Sequence, residues 1–333
     1  MTPQKKNIVD TFGRNHDYLR ISLTERCNLR CFYCMPEEGI KLRDKANFMT
    51  SEETLAIAKV FVEMGVKKIR LTGGEPLIKK DAKNLILQLG ELPIELAITT
   101  NAVLVDKYID VFKQAGIKSV NVSLDSLNEN SFNNISRRNY FKRIVKNISL
   151  LISQSFYVKI NVVVIKDVNE HEIPQFIEWS RKSKVYIRFI EFMPFDGNNW
   201  QIEKNVSFKK ILEIAYNYFG KNEIYKIKGN FNDTSRNFKL KNSLGNFGII
   251  SSVTNPFCDS CNRIRLTADG KIKNCLFSNN ETDLLTALRK KKDIKALITE
   301  SILNKKKSRG GTINFDKNYM KNVKNRSMTT IGG

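Results

Sequence analysis

The six cysteines of this chain fall into two groups of three, and none is left over. Their spacing is Cys27-x3-Cys31-x2-Cys34 and Cys258-x2-Cys261-x13-Cys275. A four-iron, four-sulfur cluster takes one protein thiolate per iron, so a group of three leaves one iron open to a ligand from outside the protein. The cysteines therefore predict two such clusters, each with a vacant position for a small molecule.

Disulfides and zinc are the other common uses of cysteine. An even count suits the disulfides of short secreted chains, but 333 residues can bury a core of their own, and the first residues carry no apolar signal segment. A structural zinc takes four Cys or His ligands, and the chain has only His16 and His171 to complete either group. We expect reduced thiols in the cytoplasm and iron at both sites, although the second group alone would suit zinc as well.

The composition is strongly basic, with 56 Lys and Arg against 34 Asp and Glu. A positive field attracts polyanions, which include nucleic acids and nucleotide phosphates. Lysine is abundant in all parts of the chain, however, and we interpret Lys290–Lys292 and Lys305–Lys307 as solvated surface. The charge alone does not predict a nucleic-acid partner. No run of about 18 apolar residues is present, so we expect no membrane span.

Short β-rich runs alternate with amphipathic stretches from residue 17 to 191. The predicted strands are Tyr18–Leu23, Lys68–Leu71, Glu95–Thr99, Ser119–Leu124, Tyr157–Val164 and Tyr186–Glu191. Helical patterns between them include Ser51–Met64, Tyr108–Ala115 and Glu170–Arg181, the last with Pro174 in its first turn. Strands alternating with helices predict a parallel sheet. The fold class is α/β, with a partial six-stranded (βα)6 TIM-like barrel that is open on one side.

The segment Pro194–Asn199 reads as a linker, and the pattern changes after it. We predict a barrel domain over 1–195 and a smaller α+β domain over 196–333 that carries the second cysteine group. Its predicted elements are helices near Phe208–Tyr218, Leu284–Leu288 and Ile294–Leu303, β runs at Glu223–Lys228 and Phe247–Val253, and a hairpin turn at Ala268–Gly270.

Polar residues stand at the ends of the predicted barrel strands, where parallel barrels place their reactive groups. The first cysteine group follows the first strand, and Thr72–Pro76, with two glycines, follows the second. The third strand ends in Thr99–Asn101 and the sixth in Glu191–Met193. On the fourth, Asn121, Ser123 and Asp125 face one way, and on the fifth so do Lys159 and Asn161. These positions suit a ligand cavity better than a packed interior. The sequence leaves open whether the Lys159 side chain faces the cavity or the outside.

Two arginines, Arg263 and Arg265, follow the second cysteine pair and point to one side if the segment is extended. Guanidinium groups bind phosphates and carboxylates through paired hydrogen bonds. Their position beside an open iron favours a ligand site over a solvated strand face.

Cys27-x3-Cys31-x2-Cys34 with Tyr33 inside it, followed by Gly73-Gly74-Glu75-Pro76, resembles the radical S-adenosylmethionine (SAM) enzymes. More narrowly, the chain resembles the GTP 3′,8-cyclase family of molybdenum-cofactor biosynthesis. Its further matching segments are Phe12–Arg14, Leu19–Cys31, Asn121–Asp125, Arg188–Met193, Cys258–Arg265 and the terminal Gly332-Gly333. Together these segments cover most of residues 12 to 278 and the last two.

The resemblance implies a role for individual residues. Cys27, Cys31 and Cys34 would hold the SAM cluster, and Cys258, Cys261 and Cys275 an auxiliary cluster whose open iron takes the guanine of GTP. The implied SAM contacts are Tyr33, Gly74, Glu75, Ser123 and Met193. The implied GTP contacts are Arg20, Arg70, Thr99, Lys159, Arg263, Ile264 and Arg265. No catalytic residue is implied beyond these, and the Gly-Gly tail would reach toward the active site.

The resemblance also implies a reaction: a lyase that cleaves SAM, forms a 5′-deoxyadenosyl radical and converts GTP to (8S)-3′,8-cyclo-7,8-dihydroguanosine 5′-triphosphate. The implied cofactors are two [4Fe-4S] clusters and SAM. The implied partners are a flavodoxin or ferredoxin as one-electron donor, a second copy in a homodimer, and the cyclic pyranopterin monophosphate synthase that receives the product. We expect no nucleic-acid and no membrane partner.

The chain departs from the family pattern at two places and leaves two other functions open. Ala102 stands where the family has Gly, and Lys79-Lys80 where it has arginines, which keeps the charge but loses the bidentate fork. Neither departure touches a cysteine, so we expect activity. The alternatives are a radical SAM peptide-modifying enzyme with an auxiliary cluster, and a non-enzymatic metal-stabilised RNA-binding module.

Overall fold

A computed structural model describes residues 7–35, 39, 43–315, 319 and 325–332 of the chain. Its strands form one sheet in the order β12-β11-β10-β1-β2-β3-β4-β5-β6-β9-β8-β7. The strands are β1 Tyr18–Ser22, β2 Lys68–Thr72, β3 Glu95–Thr100, β4 Ser119–Ser123, β5 Tyr157–Val164, β6 Val185–Glu191, β7 Ile224–Ile227, β8 Arg236–Leu240, β9 Asn246–Ile250, β10 Arg263–Leu266, β11 Lys271–Lys273 and β12 Thr282–Asp283.

Helices follow the first six strands and complete the barrel alternation. In the described part of the chain they are α1 Ser51–Glu63, α2 Ala82–Gly90, α3 Ile109–Gln114, α4 Glu129–Ser136, α5 Phe141–Ser153, α6 Ile173–Lys182, α7 Phe208–Phe219, α8 Leu284–Arg289, α9 Ile294–Leu303 and, near the end, α10 Met328–Ile331. Thr50 is the N-cap of helix α1, and its side chain and backbone pair with Glu53 in a capping box. Pro174 lies in the first turn of α6, as predicted.

The first six strands are parallel and pair in sequence order, which confirms the predicted α/β class and the six barrel strands. Along β5 the residues alternate strictly. Val158, Ile160, Val162 and Val164 are buried in the apolar core, while Lys159 and Asn161 on the other face are only half-buried. This period of two gives the sheet one apolar face for the helices and one polar face for the interior.

The strands of the C-terminal part continue the same sheet at both edges. Strand β10 is parallel to β1, and β9 is parallel to β6. Strands β10 and β11 form the predicted hairpin, with Gly270 in its turn at a φ of 70°. The C-terminal part therefore extends both edges of the six-stranded barrel sheet. The domain division between residues 195 and 196 stays a prediction.

Two apolar clusters are buried. The large one lies between the sheet and its helices. The smaller one includes Phe192, Trp200, Phe277 and Ile331, and joins the end of β6 to the C-terminal segment. Among the described residues no helix is long and apolar enough to cross a membrane.

Candidate functional site

A cavity of about 330 Å³ lies at the carboxyl ends of the barrel strands. Its walls come from the loops after β1, β2 and β3, from β4 and β5, from the end of β6, and from β10 and the loops around it. All six cysteines line it. The two triplets, more than 220 residues apart in the chain, therefore lie on the walls of one chamber.

The first triplet lies in a tight loop after β1. Cys34 N–H donates to the carbonyl of Cys31 over 2.9 Å, which folds the loop back on itself. The backbone N–H groups of Arg30 and Phe32 donate to the carbonyls of Ser136 and Ile135 at the end of α4, over 2.9 and 3.1 Å. The loop is thus held by the barrel itself.

The second triplet spans the start of β10 and the end of the hairpin. Cys261 N–H donates to the Cys258 carbonyl over 3.1 Å, and Cys275 follows β11. The backbone N–H of Arg309 donates to Cys258 Sγ over 3.4 Å. The chain thus returns to this triplet after α9.

The thiols fit the two iron-sulfur clusters that their count predicted. All six cysteines are free and half-buried, so no disulfide ties them. Among the described residues, no three Cys, His, Asp or Glu side chains converge as ligands of one metal ion. A cluster does not need such convergence, because each of its irons takes a different thiolate.

The two triplets differ in their electrostatic surroundings. Burial raises the pKa of Cys27 to about 11, with the Glu75 carboxylate adding to it, and burial raises that of Cys34 to about 12. Burial also acts on Cys261, but there the Arg263 guanidinium and the Lys305 ammonium outweigh it and lower the pKa to about 6. Cations therefore dominate at the second triplet, whereas at Cys27 of the first the charge of Arg30 is outweighed by burial and Glu75.

Three arginines stand abreast on neighbouring strands. The pairing register aligns Arg265 of β10 with Arg20 of β1, and Arg20 with Arg70 of β2. Burial and the nearby guanidinium of Arg20 lower the pKa of Arg265 to about 9, and burial and Arg70 lower that of Arg188 to about 10. Such a row of mutually repelling cations stabilises a bound polyanion, because the anion offsets their charge.

Buried polar atoms without a hydrogen-bond partner among the described residues gather on the cavity wall. They include Thr99 Oγ1, Asn121 Oδ1, Asn161 Oδ1, Arg188 Nε, Arg309 Nε and one terminal nitrogen of Arg263. Buried polar groups in native proteins are nearly always paired. These atoms are therefore available to a polar ligand with both donors and acceptors.

Four of the five residues expected to contact SAM line the cavity, namely Tyr33, Gly74, Ser123 and Met193. Gly74 lies so close to the first loop that an added Cβ would meet the Arg26 carbonyl oxygen at 2.2 Å. Glu75 does not line the cavity. Its carboxylate accepts hydrogen bonds from Leu77 N, Thr100 Oγ1 and Asn101 N, and so braces the loops after β2 and β3.

The residues expected to contact GTP divide in the same way. Arg20, Thr99, Arg263 and Arg265 line the cavity. Arg70 is buried behind them and donates to Tyr18 Oη and the Ile98 carbonyl, over 2.5 and 2.9 Å. Lys159 stands over the rings of Tyr157 and Tyr186, with its ammonium 5.0 and 5.8 Å from their centroids. The Ile264 side chain faces the apolar core, so only its backbone is available there.

The C-terminal tail reaches this site. The carbonyl oxygen of Gly332 accepts a hydrogen bond from the Arg265 guanidinium. A Cβ on Gly332 would lie 2.5 Å from Thr72 Oγ1 and 2.9 Å from Ser22 Cβ. The last residue of the predicted Gly-Gly tail, Gly333, lies outside the described residues.

Two residues of β6 acquire roles that the sequence did not assign. Arg188 lines the cavity. Its place as a lone cation between apolar neighbours on a strand could have identified it from the sequence. Glu191, expected only as a polar strand end, is buried and accepts hydrogen bonds from Phe208 N, Val253 N and Thr254 N over 3.0, 2.8 and 2.9 Å. It ties the barrel to the C-terminal part.

The two departures from the family pattern lie near the cavity without lining it. Ala102 keeps a left-handed backbone, with a φ of 62°, so the turn persists without glycine. Lys79 lies 3.7 Å from Asp81 and points its charge at that carboxylate.

Two family models match consecutive parts of the chain. The radical SAM superfamily matches residues 21–180, and the family described as Molybdenum Cofactor Synthesis C matches residues 185–310. The two matches meet between α6 and β6, in the barrel.

Curated relatives match the chain over nearly its whole length. It is 40% identical to a mitochondrial GTP 3′,8-cyclase of Arabidopsis thaliana over 99% of this chain and 85% of the relative. It is 37% identical to a GTP 3′,8-cyclase of Listeria welshimeri over 98% of this chain and 99% of the relative. It is 44% identical to molybdenum cofactor biosynthesis protein 1 of Drosophila melanogaster over 85% of this chain but 50% of the relative. The chain thus spans about half the length of this last relative, and likewise of the molybdenum cofactor biosynthesis protein 1 of Dictyostelium discoideum and of Bos taurus.

Among solved structures, Streptococcus suis SuiB matches with a TM-score of 0.65 at 16% identity, over 88% of this chain and 68% of that one. At this identity the match establishes the fold alone.

Proposed function

Because this chain belongs to the GTP 3′,8-cyclase family within the radical SAM superfamily, we propose that it converts GTP to (8S)-3′,8-cyclo-7,8-dihydroguanosine 5′-triphosphate at the expense of SAM. This reaction opens molybdenum-cofactor biosynthesis. The observation that carries the proposal is the presence of both cysteine triplets and of Arg20, Arg188, Arg263 and Arg265 on the walls of one cavity.

The cysteines would hold the two clusters, one per triplet. When bound, the first cluster would supply the electron that cleaves SAM, and the second would supply an open iron as a ligand position for the nucleotide. The protein supplies placement and exclusion of water. The apolar wall made by Phe192, Phe195 and Phe277 supports this role, because it offers water no hydrogen-bond partner at that side of the cavity.

The cations would hold the triphosphate. Arg20, Arg263 and Arg265 line the cavity beside the second triplet, and Arg188 faces them from β6. Arg70 and Lys159 lie just outside the wall, where they add positive charge without a free path to the ligand. We assign direct phosphate contact to the first four, and a supporting charge to Arg70 and Lys159.

The polar residues at the other wall would hold SAM. Ser123, Asn161 and Asp125 project from β4 and β5 on the side of the first triplet. Tyr33 Oη donates to Asp125 Oδ2, which keeps that carboxylate in place. Carboxylate and amide oxygens accept hydrogen bonds from ribose hydroxyls and from an ammonium group, both of which SAM carries.

The remaining partners are part of the proposal. A one-electron donor of the flavodoxin or ferredoxin type, a homodimer, a cytoplasmic location and transfer of the product to cyclic pyranopterin monophosphate synthase are what the family resemblance implies. The absence of a nucleic-acid partner also stays a prediction.

The test uses enzyme purified without oxygen and supplied with SAM, GTP and a reductant. We expect about eight irons per chain, from two four-iron clusters, and 5′-deoxyadenosine formed only when GTP is present. GTP deuterated at the ribose 3′ position should transfer that deuterium to 5′-deoxyadenosine. Zinc in place of iron would favour the binding module, and SAM cleavage that ignores GTP would favour the peptide-modifying enzyme.

A further inference from the structure

Lys305 places a buried ammonium group against the second cysteine triplet. As the first of three consecutive lysines, it was predicted to lie on the solvated surface. Lys306 and Lys307 are indeed exposed, but Lys305 is 4% exposed. Burying a lysine costs free energy unless its charge is paired. The groups around the Lys305 ammonium must therefore offset that cost.

Three acceptors surround the ammonium nitrogen. Lys305 Nζ lies 3.0 Å from the Arg263 carbonyl oxygen, 3.5 Å from Cys261 Sγ and 3.5 Å from His16 Nδ1. A charged lysine has three N–H donors and no acceptor. The three neighbours therefore match a protonated Lys305, and one of them is a cluster thiolate.

A short N-terminal hairpin, in which residues 10–16 turn back beside an antiparallel bridge between Val9 and Asn15, fixes the direction of the third contact. His16 Nε2 lies 3.0 Å from Asp10 Oδ2, and Arg14 Nε donates to the same oxygen over 2.6 Å. When a neutral His16 donates a hydrogen bond from Nε2–H to Asp10, its Nδ1 carries a lone pair that can accept from Lys305. Burial and the Lys305 charge lower the pKa of His16 to about 4, which keeps the ring neutral.

The same hairpin also holds the triplet's backbone. The Arg14 guanidinium donates to the Cys258 carbonyl over 2.8 Å and to the Lys307 carbonyl over 2.7 Å. Residues 10–16 thus clamp both the cysteine turn and the segment that carries Lys305. The geometry of the ammonium relative to Cys261 is built into the fold and does not depend on one flexible side chain.

The first triplet has no comparable contact among the described residues. Cys27 Sγ accepts from Leu29 N over 3.4 Å and from Asn101 Nδ2 over 3.8 Å, and both donors are neutral. The carboxylates of Glu75 and Asp125 act on its cysteines, and the Arg30 guanidinium, which opposes Glu75 at Cys27, donates to the Cys27 carbonyl and not to a sulfur. A cation in direct contact with a thiolate is therefore particular to the second triplet.

We propose that Lys305 is a positioning residue that acts through Cys261 to raise the reduction potential of the second cluster above the value its thiolates alone would set. Reduction adds one negative charge to a cluster, and a fixed positive charge in a poorly polarisable interior stabilises the reduced form. Because no described cation contacts a sulfur of the first triplet, the two clusters would accept an electron at different potentials. The inference rests on the proposed function in one respect, that the second triplet holds a cluster.

The test is a redox titration of the two-cluster enzyme followed by electron paramagnetic resonance. The spectral component that changes on adding SAM reports the first cluster, and the other reports the second. The variants are Lys305→Gln, which keeps a hydrogen-bond donor but no charge, and Lys305→Arg, which keeps the charge. Lys306→Gln is the matched control, since it removes a charge of the same kind one residue away but exposed.

We expect Lys305→Gln to disfavour reduction of the second cluster at least tenfold, a fall of about 59 mV for a one-electron couple. The first cluster should not shift, and Lys305→Arg and Lys306→Gln should both titrate like the parent enzyme. Loss of the second cluster's iron in Lys305→Gln but not in Lys305→Arg would also assign the effect to the charge.

Two outcomes would overturn the inference: an unchanged potential in Lys305→Gln, or equal impairment of Lys305→Gln and Lys305→Arg, which would show that shape matters and charge does not. A parent enzyme that holds only one cluster is a different result, because it contradicts the proposed function before any variant is compared. Iron and sulfide analysis of the parent enzyme separates the two cases.

Discussion

Tyr33 Oη donates a hydrogen bond of 2.6 Å to Asp125 Oδ2, and so joins the first cysteine loop to the end of β4. The other oxygen of Asp125 accepts from Val163 N on β5 over 2.8 Å. Burial raises the pKa of Asp125 to about 6, while the hydrogen bonds from Tyr33 and Val163 oppose the rise. The tyrosine therefore helps to keep a buried carboxylate ionised near neutral pH.

Replacing Tyr33 with Phe should lower the free energy of unfolding by about 1–3 kcal/mol, the cost of a buried acceptor that loses its donor. Urea unfolding of the iron-free protein measures this. Tyr225→Phe is the control, because that ring is 46% exposed and its hydroxyl is open to water. Equal stabilities of the two variants would contradict a structural role for the Tyr33 hydroxyl.

Replacing Arg265 with Ala should weaken GTP binding by about 10- to 100-fold, since hydrogen bonds to charged groups contribute about 1.5–3 kcal/mol each. Both clusters should remain, because among the described residues Arg265 donates no hydrogen bond to a cysteine sulfur. Binding is measured by equilibrium dialysis and cluster content by iron analysis. Arg236→Ala is the control, as that guanidinium lies over the Phe208 ring and not on the cavity wall. Unchanged GTP affinity in Arg265→Ala would count against its assigned contact.

Replacing Gly332 with Ala should displace the tail and lower turnover by at least about tenfold, because the new Cβ would collide with Thr72 Oγ1 and Ser22 Cβ. Gly220→Ala is a matched control. Its φ of 88° is close to the 87° of Gly332, but nothing lies within 4 Å of an added Cβ. Turnover and hydrogen exchange over residues 325–332 are the measurements, and an equal response of both variants would trace the effect to backbone strain alone.

Replacing Glu191 with Gln should destabilise the junction between barrel and C-terminal part by about 2–4 kcal/mol, because an amide NH₂ would face backbone N–H donors. Both carboxylate oxygens accept from N–H groups, so either orientation of the amide leaves a clash. Glu178→Gln, which loses only surface pairs with Arg181 and Lys182, should cost less than about 1 kcal/mol. Denaturation of the iron-free proteins checks both values, and similar losses would refute the anchoring role.

The stability of the iron-free protein should fall as the pH drops from about 6.5 toward 4, and His16 should account for part of this. Burial and the charge of Lys305 lower the pKa of His16 from 6.5 to about 4 in the folded protein. Between these values the unfolded chain binds a proton that the folded chain does not, so acid favours unfolding. The loss should be on the order of 2–3 kcal/mol, and His16→Gln should show a flatter pH profile. Parallel profiles for the two proteins would contradict the assignment.

The predictions made from sequence succeeded where a residue's neighbours along the chain decide its state. The six barrel strands were found within one or two residues, because alternation of apolar and polar residues is a local property. The same alternation predicted that Asn121, Ser123, Asp125 and Asn161 face a ligand cavity, and all four line it. The hairpin at Gly270 and the first turn of α6 at Pro174 followed from local turn chemistry.

What the sequence by itself determined, then, is the inventory of chemistry: two groups of three thiols, the strands beside them and the arginines that follow. Only the tertiary structure decided which side chains reach the ligand. Arg70 and Glu75 are taken up by backbone and hydroxyl partners, Ile264 turns into the core, and Lys305 is buried while its two lysine neighbours are exposed. The physical reason is that burial and pairing depend on segments distant in sequence, such as the hairpin of residues 10–16, whose contacts no local pattern encodes.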